Sequence, residues 1–105
     1  MVGWKEERMI KVFDNIKTED LLRCGFEQMG DEFEYCENAV GSDGDDIWEI
    51  VICVDKDTRE VTWETYRSFC NVEDEFLYGL IINKLVEMAG KGLIYRGGVV
   101  YGNNN

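Results

Sequence analysis

The sequence predicts an α+β fold: an antiparallel β-meander of about four strands, with a short N-terminal helix and a long C-terminal helix packed on one of its faces. Three observations carry this. Between residues 26 and 67, apolar and polar residues alternate at the period of half-buried strands, and glycine- and aspartate-bearing turns break the runs. From residue 71 the rhythm changes to the i, i+3, i+4 spacing of a helix face. The chain has 105 residues, 45% hydrophobic and 12% aromatic, which suits one small core and not two. The expectation is a single domain over 1–105 with a flexible tail at 102–105.

Residues 4–16 carry Met9, Ile10, Val12, Phe13 and Ile16, a spacing that fits a short helix or an edge strand. Thr18 then reads as an N-cap, with Glu19 and Asp20 at the positive end of the helix dipole. Leu21 and Leu22 supply its buried side, and Gly25 closes it. Phe26 to Met29 reads as a strand, Gly30-Asp31 as a two-residue hairpin turn, and Glu32 to Asn38 as the returning strand with Phe33 and Tyr35 on one face. Residues 41–46 form a polar loop. Ile47 to Val54 is the most apolar strand, with Trp48, Ile50, Ile52 and Val54 on one face and Glu49, Val51 and Cys53 on the other. After a tight connection, Glu60 to Arg67 sets Val61, Trp63 and Thr65 against Thr62, Glu64 and Tyr66.

The long helix is expected to start at Asn71, with Asp74 completing a variant capping box. Leu77, Leu80, Ile81, Lys84, Leu85 and Met88 make one face, which Phe76, Ile82 and Val86 widen, and Gly90 and Gly92 stop the helix. Leu93 to Tyr101 reads as a short extra strand or a dimer contact. With both helices on one sheet face, the other face is left open to solvent or a partner.

Charge is the most uneven property of the chain. The window from Cys24 to Asp55 holds ten carboxylates and no Lys or Arg, whereas the other residues hold twelve acids and eleven bases, so almost all of the net charge of −11 lies in one third of the sequence. So concentrated a charge gives the field a direction and points to a basic partner. A sequence pI near 4.3 argues against direct binding to nucleic acid or to an anionic membrane. The candidate partner-binding residues are Glu27, Asp31, Glu32, Glu34, Glu37, Asp43, Asp45, Asp46 and Glu49. In a strand, residues two apart share a face at roughly 6.6–6.8 Å, so Glu32 and Glu34 can stand where phosphates would otherwise sit.

The sequence also weighs against several chemistries. It has no histidine, which excludes Ser–His–Asp and Cys–His nucleophilic sites. Cys24, Cys36, Cys53 and Cys70 show no close pair of the zinc-ligand kind and read as free, partly buried thiols. Counting from Asp43, the EF-hand ligand positions fall on Ile47 and Val54, so that pattern fails. No catalytic residue, metal or cofactor is expected. No stretch nears about 18 consecutive apolar residues, and the N-terminus has no apolar signal core, so a cytoplasmic location is expected.

The segment Thr18-Glu19-Asp20-Leu21-Leu22-Arg23-Cys24-Gly25-Phe26-Glu27, followed by a hairpin, resembles small proteins encoded by phages and mobile elements. The order of helix, acidic β-meander and helix over residues 18–90 is similar to that of some anti-CRISPR inhibitors of Cas nucleases. That resemblance implies a phage-type inhibitor, acting in a bacterial cytoplasm, that occupies the nucleic-acid channel of a CRISPR effector by acidic mimicry. It carries over no individual functional residue. Two alternatives stand beside it: an immunity protein against a nuclease toxin, and a self-associating phage structural or regulatory protein.

Overall fold

The computed structural model describes residues 10–40 and 46–96. The sequence-based readings for residues 1–9, for the 41–45 loop and for the segment from Gly97 onward therefore lie outside the described residues. The fold is α+β. Its strands are β1 (Ile10–Val12), β2 (Glu27–Met29), β3 (Glu32–Val40), β4 (Ile47–Asp55), β5 (Glu60–Arg67), β6 (Cys70–Asn71) and β7 (Ile94–Arg96); its helices are α1 (Thr18–Arg23) and α2 (Glu75–Gly90). All described pairings are antiparallel, in the order β2-β3-β4-β5-β1-β7, with β6 folded back on β5.

The expected four-stranded meander is present as β2 to β5, but the sheet does not stop there. The ambiguous N-terminal segment becomes β1, which returns to β5 and places Ile10 opposite Val61. β7 then pairs with β1. Ile10 and Val12 alternate with Lys11, so three residues suffice for a strand once neighbours exist on both sides.

Turn chemistry fixes the register of the meander. Gly30 takes a φ of +64° and closes β2 onto β3, so that Met29 faces Glu32 and Glu27 faces Glu34. Between β4 and β5, Oδ1 of Asp55 accepts from the amides of Asp57 and Thr58, both at 2.8 Å, and Arg59 completes the turn at a φ of +68°.

Two helix starts differ from the sequence expectation. Lys17, not Thr18, is the N-cap of α1, and its amide donates to Oδ2 of Asp20 at 2.9 Å. The first-turn carboxylate thus supplies the return arm of a capping box, accepting from the N-cap's own amide, while the Thr18 hydroxyl is not the cap. Asn71 is taken up by β6, and Asp74 itself caps α2 by accepting from the Leu77 amide at 3.1 Å. Helix α2 ends at Gly90, and Gly92 adopts a φ of +75° just beyond it.

Both helices pack on one face of the sheet. Leu21 from α1 and Leu77, Ile81 and Met88 from α2 close over Phe33, Ile50, Ile52, Val54 and Val61. Gly25 matters here: its φ is +95°, and a Cβ would sit 3.3 Å from the Tyr35 ring. Lys84 is the one described basic side chain in this layer that is buried. Its Nζ donates to the Cys24 carbonyl at 2.7 Å and lies 4.3 Å from the centre of the Tyr35 ring, which ties α2 to the end of α1 and to β3. Phe76, Ile82 and Val86 do not widen the buried face as expected. They are 56%, 57% and 63% exposed.

Candidate acidic interface

The register places the functional side chains. On β3, Phe33 and Tyr35 point to the helices, so Glu32, Glu34, Cys36 and Asn38 point the other way. Their partners on β4 are Asp55, Cys53, Val51 and Glu49. The next row, on β5, brings Thr62, Glu64 and Tyr66 opposite Cys53, Val51 and Glu49. Glu60 of β5 lies beyond Thr62 on the same face, and Glu27 of β2 lies opposite Glu34.

The helix-free face therefore gathers Glu27, Glu32, Glu34, Glu49, Asp55, Glu60 and Glu64. Four strands at about 4.8 Å spacing make the array roughly 14 Å wide. The described ion pairs join Arg23 to Asp20, Arg67 to Asp46 and Asp74, and Lys84 and Lys91 to Glu87, and none of them involves these seven side chains. The basic strand residue whose register falls on this face is Lys11 of β1, at its edge, opposite Glu60. Two like-charged pairs stand directly across from each other, Glu27 with Glu34 and Glu32 with Asp55. Such placement is unfavourable to the sheet. The surface between the strands is an open depression of about 560 Å³, lined by Glu32, Glu34, Glu49 and Glu64 with Cys36, Cys53 and Tyr66.

The thiols and the phenol on this face register its environment. Sγ of Cys36 donates to Oε1 of Glu34 at 3.5 Å, and Sγ of Cys53 lies 4.0 Å from Oε2 of the same carboxylate. Partial burial, followed by the charges of Glu34, Glu49 and Glu27, pushes the Cys36 thiol up to about 11. Burial together with Glu32, Glu34 and Glu64 pushes Cys53 up to about 12. The Tyr66 hydroxyl donates to Oε1 of Glu64, which, with some burial, raises its pKa. All four cysteines are free thiols, as expected.

The candidate residues read from the sequence divide accordingly. Glu27, Glu32, Glu34 and Glu49 are brought together on the open face. Asp31 lies in the β2–β3 turn, where its carbonyl accepts from the Lys56 amide at 3.0 Å. Glu37 does not share that face: it points to the helix side and accepts from the Tyr35 hydroxyl at 3.0 Å. Asp46 lies away from this face and pairs with Arg67, whose Nε also holds Asp74 at 2.7 Å. Asp43 and Asp45 lie outside the described residues. The sequence reading missed Asp55, Glu60 and Glu64. The last two sit outside the acidic window, and only the β4–β5 register reveals that they join it. The alternation of Glu64 and Tyr66 against Trp63 and Thr65 was the available signal.

Among the described residues, no group of Cys, Asp and Glu is arranged to hold a metal ion, and no helix is long and apolar enough to cross a membrane. What the fold and the site define is an α+β protein with one face of its sheet buried under helices and the other carboxylate-rich. Comparisons with family models, with curated proteins and with solved structures give no match for the chain.

Proposed function

We propose that the protein is a non-catalytic, phage-type inhibitor that covers the basic nucleic-acid-binding surface of another protein, with a CRISPR effector nuclease as the target class. The observation that carries this reading is the open sheet face: seven carboxylates on four neighbouring strands, with two like-charged pairs directly opposed. Solubility does not require acids to face each other across a ladder. A partner whose Arg and Lys ordinarily hold phosphates would relieve that repulsion on binding and form charge-assisted hydrogen bonds. The rigid spacing of the strands presents the carboxylates already ordered, which lowers the entropy lost on association. Association would be fast and sensitive to salt.

The test is capture of the tagged chain's partners from a bacterial lysate containing CRISPR effectors, with salt-gradient elution and mass spectrometry, followed by competition with DNA. The parent should retain a nuclease that moderate salt or DNA releases. The combined variant Glu34→Lys, Glu49→Lys, Glu64→Lys should retain none. If that variant holds the same nuclease to the same salt, acidic mimicry is wrong. Identification of a nuclease toxin instead would favour the immunity-protein reading.

A further inference from the structure

Strand β3 outruns the strand beside it. It extends from Glu32 to Val40, but β2 pairs only with Glu32, Phe33 and Glu34. Beyond Glu34, no described strand lies along the outer edge of β3. The phase of the ladder says which groups stand on that edge. The Lys56 amide donates to the Asp31 carbonyl at 3.0 Å, and the Ser68 amide to the Ile47 carbonyl at 2.7 Å. Each bond continues a register that runs without a bulge. Backbone groups alternate in direction along an antiparallel strand, so Phe33, Tyr35, Glu37 and Ala39 bond to β4 as Asp31 does. Cys36, Asn38 and Val40 therefore turn their N–H and C=O groups outward. Among the described residues, no turn, loop or cap bond reaches these groups. Free edges are ordinarily kept short or blunted by Lys, Pro or a bulge. The outer strands β2 and β7 are short, at 3 residues each. Residues 35–40 are longer and carry no Lys, no Pro and no bulge.

We propose that this edge takes an extended, basic segment of a partner protein, added to β3 as a further antiparallel strand. Cys36, Asn38 and Val40 each offer one donor and one acceptor, repeating at roughly 6.8 Å, a spacing that another strand matches. Charge selects a basic segment over a second copy of this chain. On the acid face, the added strand would stand two strand spacings, about 10 Å, from Glu49, a gap that a Lys or Arg and a Glu side chain span together. On the helix side, Glu37 flanks the same edge. A second copy would bring more carboxylates and no base, since the window from Cys24 to Asp55 has neither Lys nor Arg. The inference rests on the acid-face reading for the charge of the partner and not for its identity.

The probe is a capped heptapeptide of alternating Lys and Val, which sets its lysines on the acid face opposite Cys36, Asn38 and Val40. Hydrogen exchange of the isotope-labelled full chain, followed by NMR, reads the edge directly. In the free chain the amides of Cys36, Asn38 and Val40 should exchange fast, and those of Tyr35, Glu37 and Ala39 slowly. Peptide at about ten times its dissociation constant should slow the first three about tenfold. The same peptide N-methylated at its lysines keeps the charge and loses the donors. Asn38→Pro removes the central donor of the edge without breaking a bond to β4. Each change should weaken binding at least about fivefold. Should Asn38→Pro not fold, the N-methylated peptide alone decides. An N-methylated peptide that binds as tightly as its parent overturns the inference, because charge alone then holds it. So does a peptide with Glu in place of Lys that slows the same amides, or no binding at about 1 mM peptide. Edge amides that become protected as the free chain is concentrated also overturn it and assign the edge to a second copy. None of these results bears on nuclease capture by the acid face, which the Glu34, Glu49 and Glu64 variant tests separately.

Discussion

Cys36 reports on the burial and the charge of the open face without any partner. At pH 8 a thiol with the ordinary value of 9 is about one-tenth thiolate; at about 11 it is about one-thousandth, close to a hundredfold less. A thiolate of higher pKa is also a better nucleophile, with a Brønsted coefficient of about 0.4–0.5 for attack on a disulfide. The two effects combine to make Cys36 in the folded protein about 10- to 16-fold slower than in the unfolded chain. Exchange with dithiodipyridine, a neutral disulfide, avoids repulsion of the reagent, and mass spectrometry of quenched digests assigns the rate to Cys36. Glu34→Gln removes the neighbouring charge and the carboxylate that accepts from the thiol, although burial, the larger cause, remains. The variant should react several-fold faster than the parent, and salt should accelerate the parent more than the variant. A native Cys36 that reacts within about twofold of the unfolded chain, or a Glu34→Gln variant no faster than the parent, would refute a field concentrated on this face.

Glu27→Lys replaces one opposed like-charged pair with an attractive cross-strand pair, the new ammonium facing the Glu34 carboxylate. It should stabilise the fold by about 0.5 kcal/mol, or roughly 2–4 °C in a thermal melt, while weakening partner binding; a lower melting temperature would remove the argument that this pair is a cost to the sheet. Gly25→Ala forces a side chain into the left-handed region and against the Tyr35 ring, so urea unfolding should show a loss of at least about 1 kcal/mol. Cys36 and Cys53 hold their protons to higher pH when folded than when unfolded, so their contribution is present below about pH 9 and is lost as pH rises towards 11 and 12. The urea midpoint should therefore fall between about pH 9 and 10.5, and fall less in the variant Cys36→Ser, Cys53→Ser.

The parts of the fold legible in the sequence were those written in local periodicity. The alternation in Ile47 to Val54 assigned both faces of β4 correctly, because a strand's faces follow from its period alone. The Gly30-Asp31 turn gave the β2–β3 register for the same local reason. What could not be read was set by neighbours distant in sequence. Ile10 to Val12 becomes a strand because β5 and β7 flank it. Phe76, Ile82 and Val86 extend the apolar pattern of α2, yet at about 100° per residue they fall roughly 110–170° around the helix from the buried stripe of Leu77, Ile81, Lys84 and Met88 and are left exposed. Glu37 carries the same charge as Glu34, but an offset of three residues in a two-residue period turns it to the helix side. The composition of the acidic window was thus visible at once, whereas its membership as a surface required the β4–β5 pairing that adds Glu60 and Glu64.

The two sides of this sheet are linked through stability. Like charges opposed across β2–β3 and β3–β4 weaken the ladder, and the helix side must compensate. It does so with a continuous apolar core and with Lys84, which reaches across from α2 to satisfy the Cys24 carbonyl. Losing that amine would leave a buried carbonyl unpaired, at a cost of about 1–3 kcal/mol, comparable to the repulsion that the acid face imposes. A basic partner and a salt solution would act on that repulsion in the same direction: each removes a penalty present only in the folded chain. Partner binding should therefore stabilise the fold most at low ionic strength, where the unbound face is least screened. An apolar ligand of the helix side would lack this dependence, so the salt profile of ligand-induced stabilisation separates the two surfaces.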